Sequence, residues 1–440
     1  MFKTLATAWK LPDLRRRMLF TVMILVLFRL GCVIQVPFID TASLQSVFNS
    51  QESTGSLLNY FNLLSGQAFS QGTLFALSVS PYITASIVMQ LLGIAIPALE
   101  RLQKSGEEGQ KKINAITRYV TLALALITSY GYYVTLKNST SSITRDGLFP
   151  MFVIIACHCA GAVIIMWMGE KITEHGIGNG ISMILFVNIV SSLPTMATAF
   201  VNHLQSQELY KTYGMQDQFW IAIGIYVAML FVAVGIIAFV VFFTESERRL
   251  PVQYAKRVVG RKMYGGQSTN LPLKMNMTGV MPIIFASTIV SLPATIAMFF
   301  PNVEGFWKGF FNFFSTDSWF YPVFMCVLIV AFAYFYQSIS LNPEEVANNL
   351  KKNGGFIPGI RPGKPTSDFI KKSLNKITLI GAFFLGVVAL IPMLVGLLGV
   401  SFGTVTFGGT SLLILVGVIV EVRTQLESQI TMRHFKGFLE

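Results

Sequence analysis

Three places in the chain bring together residue types that could do chemistry. Gly359-Ile360-Arg361-Pro362-Gly363-Lys364-Pro365-Thr366 has the look of a phosphate-binding loop. In such a loop backbone N–H groups cradle phosphates, a lysine reaches them, and a following Ser or Thr hydroxyl holds Mg²⁺. Here three residues instead of four separate the glycines, and Pro365 stands where the hydroxyl is needed. Gly176-Ile177-Gly178-Asn179-Gly180 lacks the spacing of a dinucleotide fingerprint. Cys157-His158-Cys159 offers zinc-type donors, but consecutive helical side chains point about 100° apart and do not converge on one tetrahedral ion. His175, His203 and His434 are scattered. No catalytic residue, metal site or cofactor site follows from these patterns, and the expectation is a protein that is not an enzyme.

The charges inside apolar runs are equally sparse. Arg29 is the clear mid-run charge and reads as a structural pairing partner, while Glu170 and Glu421 sit near run ends. Proton-coupled carriers usually place acids or histidines within the membrane. Their scarcity argues against proton coupling and leaves sodium coupling through carbonyls open.

The elements that must carry these residues follow from composition. Of 440 residues, 53% are hydrophobic and 12% charged, with mean hydropathy +0.61. Soluble domains carry about 25% charged residues, so a soluble enzyme is excluded, as is a disordered chain. Only four cysteines occur (Cys32, Cys157, Cys159, Cys326), each inside an apolar run, which excludes a disulfide scaffold and suits small packing residues. Arg15-Arg16-Arg17 precede the run 18–36, but Pro37 follows and no small-x-small cleavage site does. That run is expected to stay as a first membrane span.

A hydrocarbon core of ~30 Å takes roughly 20 helical residues. Ten stretches qualify: 18–36, 74–96, 118–136, 148–168, 181–201, 218–243, 276–300, 320–340, 374–396 and 407–424. The connections on one side (1–17, 97–118, 169–180, 244–275, 341–376, 422–440) hold 28 Lys and Arg; those on the other side hold 4. By the positive-inside rule both termini and the basic loops are cytoplasmic. Five spans before the outside segment 202–217 and five after it give halves of opposite membrane sense. That is the topology of an inverted repeat with a working path between its halves. The predicted fold is therefore an all-α integral membrane protein of ten transmembrane helices in two inverted five-helix halves. The first half is 1–205 and the second is 206–440, with cytoplasmic loops 244–275 and 341–373.

Three segments stand out. Outside segment 37–73 lacks Lys and Arg and contains Leu57-Leu58-Asn59-Tyr60-Phe61-Asn62-Leu63-Leu64. Eight residues span only ~12 Å as a helix, so this piece either lies on the outer surface or re-enters as a half-helix lined by protein. In the second span Val79, Ile83 and Ile87 form a four-residue stripe, and Ile181 and Leu185 repeat that spacing in the fifth. An aliphatic stripe of this kind ordinarily packs or faces lipid. Pro81 is expected to weaken the helix ladder of the second span. Loop 244–275 patterns Val252, Tyr254 and Val258-Val259-Gly260 like a short hairpin. The next large loop opens on Asn342-Pro343-Glu344-Glu345, a helix start. There Pro358, Pro362 and Pro365 stiffen a turn presenting Arg361 and Lys364. Each of 244–275 and 341–376 holds seven basic residues. Solvated inside-positive charge accounts for them, as does a docking surface for an acidic partner or RNA phosphate.

These passages resemble the bacterial SecY family, the central subunit of a protein-conducting channel. The resemblance runs over nearly the whole chain. It rests on Val79-Ser-Pro-Tyr-Ile-Thr-Ala-Ser-Ile87, Gly176-Ile-Gly-Asn-Gly-Ile-Ser-Met183, Pro251-Val-Gln-Tyr-Ala-Lys-Arg257, Gly359-Ile-Arg-Pro-Gly363 and Phe407-Gly-Gly-Thr-Ser-Leu-Leu-Ile414.

The resemblance implies a pore narrowed by Val79, Ile83, Ile181, Leu185, Ile284 and Ile414. An aliphatic collar offers ions no replacement for their hydration shell and can dewet. It implies a re-entrant plug within about 55–72, formed by Leu57, Leu58, Tyr60, Phe61, Leu63 and Leu64. It implies a lateral gate between spans two and three and spans seven and eight, lined by Thr84, Thr288 and Leu292. Through such a gate apolar segments leave for lipid: Leu or Ile gains a few tenths of a kcal/mol at mid-bilayer, while Asp, Lys or Arg costs roughly 2.5–3.5 kcal/mol. Arg248, Arg249, Lys256, Arg257 and Arg361 match loop positions that dock the SecA ATPase or a ribosome. Implied partners also include SecE-like and SecG-like small membrane subunits, signal peptides, nascent polypeptide and membrane lipid, in the bacterial cytoplasmic (inner) membrane. Gln35, Gly66-Gln67, Val79 and Leu185 depart from the family's usual residues and bear on the seal and the plug. The competing expectation is a sodium-coupled small-solute secondary transporter.

Overall fold

The structure, a computed structural model, describes residues 2–49, 62, 65–138, 142–145, 147–205, 231, 234–254, 257–259, 262–264, 268–276, 279–297, 299, 305–314, 318–397 and 409–436. Helices dominate. In the first part of the chain they are α1 (Phe2–Lys10), α2 (Pro12–Gly31), α3 (Thr41–Asn49), α4 (Ser80–Ala95), α5 (Pro97–Lys104), α6 (Glu107–Asn138), α7 (Leu148–His175) and α8 (Gly180–Gln205). After a further apolar helix α9 (Val234–Glu245) come strands β1 (Glu247–Tyr254), β2 (Arg257–Val259), β3 (Lys262–Tyr264) and β4 (Ser268–Lys274). The rest comprises α10 (Met281–Ala297), α11 (Phe306–Phe313), α12 (Phe320–Ser340), α13 (Pro343–Lys352), β5 (Gly355–Phe356), α14 (Lys364–Leu397) and α15 (Gly409–Lys436).

Among the described residues four stretches are long and apolar enough to cross a membrane: Glu107–Lys137, Leu148–His175, Phe320–Lys352 and Lys364–Leu390. A fifth is the pair α4 and α5, bent by 106° at Ile96. The bend has a local cause. Ile96 precedes Pro97 and adopts the extended conformation (ψ 113°) that a following proline imposes. Gly180–Ser192, Val234–Glu245 and Met281–Ala297 are shorter apolar helices. Most of the expected sixth span, 218–243, lies outside the described residues.

Several expected boundaries change. The helix of the first run ends at Gly31, not at 36: the Phe75 ring occupies the space a Gly31 side chain would need, and it stacks on Phe28 at 5.5 Å. Residues 32–36 turn back instead, with Leu74 N–H donating to Ile34 O at 2.8 Å. The second helix starts at Ser80, because residues 65–79 form buried turns with positive φ at Gly66, Gln67, Gly72 and Ser78. Pro81 therefore sits in the first turn, where no intrahelical N–H is required, and does not weaken the ladder. Pro365 lies inside α14 rather than in the preceding turn. The 320–340 run is helical from end to end as expected.

The loop after α9 is a hairpin, β1 pairing antiparallel with β4 from Glu247↔Lys274 to Gln253↔Ser268, with β2 and β3 paired beyond it. The Asn342 side chain caps α13 by accepting from Glu344 N–H at 3.1 Å. Strand β5 then adds to the free edge of β1, a pairing not anticipated from the sequence, and the sheet order is β4-β1-β5. Leu250, Val252, Leu273, Ile357, Ile370, Leu374 and Ile377 form a separate small core beneath this sheet.

Candidate pore and seam

The main apolar core gathers aliphatic side chains from α4, α8, α10 and α15. Val79, Ile83, Leu185, Ile284 and Ile414 are buried in it, and half-buried Ile181 packs against it. Local sequence explains the placement. Val79 is the N-cap of α4 and its carbonyl accepts from Ile83 N–H at 3.0 Å, so Val79, Ile83 and Ile87 point one way. Asn179 starts α8 by accepting from Ile181 N–H at 3.0 Å, which fixes Ile181 and Leu185 one turn apart.

Ile83, Ile181 and Ile284 line one cavity of about 270 Å³. Its rim is polar and carries Gln90, Asn114, Arg118, Glu170 and Glu174. Arg118 grips Glu170 with both arms, Nε to Oε1 at 3.0 Å and Nη2 to Oε2 at 2.7 Å, joining α6 to α7. This bidentate geometry is the strong form of the pair. Lys171 donates to the exposed Glu174 Oε2 at 2.7 Å. The cavity thus has a charged mouth and an aliphatic floor. Val79, Leu185 and Ile414 belong to the same core but do not line it.

On one flank of the cavity α4 and α6 meet α10 and α12. Tyr336 Oη donates to Gln90 Oε1 at 2.6 Å across this seam, and Gln90 Nε2 donates to Ser86 Oγ at 3.2 Å. Phe285 packs edge-on against Tyr336 at 5.0 Å. Further along, Tyr130 meets Phe299 at 6.1 Å, and Gly131 leaves room for that ring. Thr84 and Thr288 spend their hydroxyls on their own helices, on Ser80 O (3.0 Å) and Ile284 O (2.7 Å). Leu292 is partly exposed. Sequence reasoning missed Gln90 and Tyr336. The signal was a lone glutamine in the otherwise apolar run Met89–Leu92.

On the opposite flank the Gly176–Gly180 turn is tied on two sides. Ile177 N–H donates to Thr21 Oγ1 at 3.1 Å, and Gly178 N–H donates to the Gln425 side chain of α15. Nearby Thr4 donates to Glu427 Oε1 at 3.2 Å and Arg423 Nε donates to it at 2.9 Å, while Arg423 also pairs with Glu245.

The plug residues Leu57, Leu58, Tyr60, Phe61, Leu63 and Leu64 lie outside the described residues. The turns that follow them are firmly held. Ser65 Oγ accepts from Phe69 N–H at 3.0 Å, Tyr132 Oη donates to Phe69 O at 2.7 Å, and the space beside Gly66 is filled by Arg29, Asn188 and Ser191. Of the docking residues, Arg248, Arg249 and Arg361 are exposed, with Arg249 paired to Glu247 at 2.7 Å. Arg257 opens β2, and Lys256 lies outside the described residues.

Residues 73–423 match the SecY family model. The protein translocase subunit SecY of Streptomyces galbus is 42% identical over 453 residues, covering the whole of both chains. In three dimensions the chain is similar to a solved protein-conducting channel, with TM-score 0.67 and 19% identity over 94% of this chain and 92% of that one. It is likewise similar to Sec61 from a canine ribosome-channel complex, with TM-score 0.63 and 18% identity over the same shares. A full-length relative at this identity, the family match and the shared helical architecture agree: the chain is a multi-pass membrane protein and belongs to the SecY family.

Proposed function

We propose that the chain is the pore-forming subunit of a protein-conducting channel, passing unfolded polypeptides across the membrane and releasing apolar segments sideways into lipid. The observation that carries this reading is the cavity floored by Ile83, Ile181 and Ile284 under the Arg118–Glu170 rim. Aliphatic walls bind no particular side chain, so they accept varied sequences, and they offer hydrated ions nothing in exchange for water. Val79, Leu185 and Ile414 complete the collar in this reading. The flank closed by Gln90 and Tyr336, with Thr84, Thr288 and Leu292 alongside, is the lateral gate. Residues within 55–72 are the plug.

In the same reading the chain folds as ten spans in two inverted halves, 1–205 and 206–440, with both termini cytoplasmic in a bacterial inner membrane. The β1–β5 sheet carries Arg248 and Arg249, Arg361 follows β5, and these residues together with Lys256 and Arg257 are the platform for the SecA ATPase or a ribosome. A SecY-family neighbour being a ribosome-bound Sec61 favours the second partner. SecE-like and SecG-like subunits complete the complex. Energy comes from the partner, in keeping with the broken phosphate loop at 359–366. The family gives no support to a sodium-coupled carrier.

The test is reconstitution into vesicles with the small subunits. Import of a secretory precursor that requires SecA and ATP is the expected result. Saturable uptake of a small solute, driven by sodium and independent of a motor, would overturn the reading.

A further inference from the structure

Helix α11 has no role in the pore or the seam, and its sequence is Phe306-Trp-Lys-Gly-Phe-Phe-Asn-Phe313. At ~100° per residue, positions 306, 307, 310, 311, 313 and 314 fall within one arc of about 160°. Every one of them is aromatic, whereas Lys308, Gly309 and Asn312 occupy the remaining arc. Lys308 is the one charged residue in 305–314. The first turn of the aromatic face has little protein over it, Phe306 being 80% and Trp307 58% exposed, and neighbouring Trp319 is 72% exposed.

The helix is also fastened in place. Phe313 stacks on Phe320 at 3.9 Å, Phe320 on Phe324 at 5.4 Å, and Phe314 meets Phe324 edge-on at 5.6 Å. These contacts weld α11 to the start of α12. Helix α10 runs from the hairpin to α11, and α12 runs back to α13, so α11 lies at the end of the bundle remote from the basic sheet. Eight residues cannot cross a bilayer, and where α10 and α12 span it their ends at α11 mark its boundary.

We propose that α11 is an interfacial anchor whose aromatic arc lies in the headgroup–acyl boundary of the leaflet opposite the basic loops. A bilayer fits better than a protein partner. Trp and Phe on one face and a polar opposite arc are what that boundary favours; the arc carries no charge, and its one polar group, the Trp307 indole N–H, is the kind of donor that boundary accommodates. The contact depends on the flanking helices spanning the membrane and not on the gate reading.

The experiment uses the full-length complex in phosphatidylcholine vesicles, with Trp307 as the sole tryptophan after Trp9, Trp167, Trp220 and Trp319 are replaced by Phe. Lipids brominated high on the acyl chain are expected to remove most of the Trp307 emission, with aqueous iodide removing little. Efficient iodide quenching without lipid quenching would overturn the anchor in favour of a water-facing helix. Resistance to both quenchers would overturn it in favour of a covering subunit or a second copy. If the fourfold substitution fails to fold, Phe306→Cys carrying an environment-sensitive dye gives the same readout, because the four native cysteines are buried or half-buried.

Discussion

The two flanks of the central cavity are held together by different kinds of contact. At the seam, the Tyr130 ring of α6 meets Phe299 just beyond α10, and Tyr336 of α12, braced by Phe285 of α10, donates a hydrogen bond to Gln90 of α4. At the rear, α15 is tied to the Gly176–Gly180 turn, to Thr4 and to Glu245 through backbone donors and charged side chains. Apolar burial of rings is non-directional and is regained after sliding, whereas a glycine turn clamped by two side-chain hydrogen bonds has one geometry. In the proposed reading the seam is the side that parts and the rear the side that holds, the mechanical asymmetry a sideways exit requires.

The largest expected effect falls on the rear turn. A methyl at Gly180 would lie 1.9 Å from the Gly169 carbonyl oxygen, a backbone atom that cannot move alone. Gly180→Ala is expected to splay α7 from α8 and cost about 2–3 kcal/mol, read as a lower unfolding midpoint in detergent. A loss no greater than at the seam would break the comparison. Tyr336→Phe removes the seam's bond while leaving Gln90 its bond to Ser86, and membrane hydrogen bonds of this kind average ~0.6 kcal/mol. Its expected signature is small in stability but clear in cross-linking across the seam, which should become less efficient. A double-mutant cycle with Gln90→Leu would assign the coupling to this pair.

The smallest effect concerns pH. The hydrogen bond from Arg423, with help from Thr4, holds the Glu427 carboxyl below its usual range. Its contribution is present above the ordinary carboxylate pKa and lost as pH falls through the lowered one. The pair is partly exposed and screened, so the loss should be under ~1 kcal/mol and shrink in salt. Unfolding midpoints of the parent and Glu427→Gln proteins that stay equally separated at acid pH would remove this contact from the rear clamp.

Repeating local signals made much of this legible in the sequence. The Val79–Ile83 spacing, the Asn342 cap, the 320–340 helix and the hairpin around Val252 and Tyr254 each depend on residues a few positions apart. What stayed hidden depends on distant partners. Gln90 and Tyr336 are 246 positions apart, and the lone glutamine in its apolar run does not reveal which residue it pairs with. The late start of α4 follows from positive φ at Ser78, a residue that rarely adopts it, imposed by the buried turns around it. The stripe alone read as packing or a lipid face and not as a site; the shared cavity distinguishes Ile83 and Ile181 from ordinary core residues.

The pairing of Gly355 and Phe356 with Tyr254 and Gln253 has a mechanical corollary. It staples two loops that are separated in sequence by the helices α10, α11 and α12, so neither can be levered without the other. A load borne on one loop is shared as torque at the bases of α10 and α14 together, much as a crank turns two shafts.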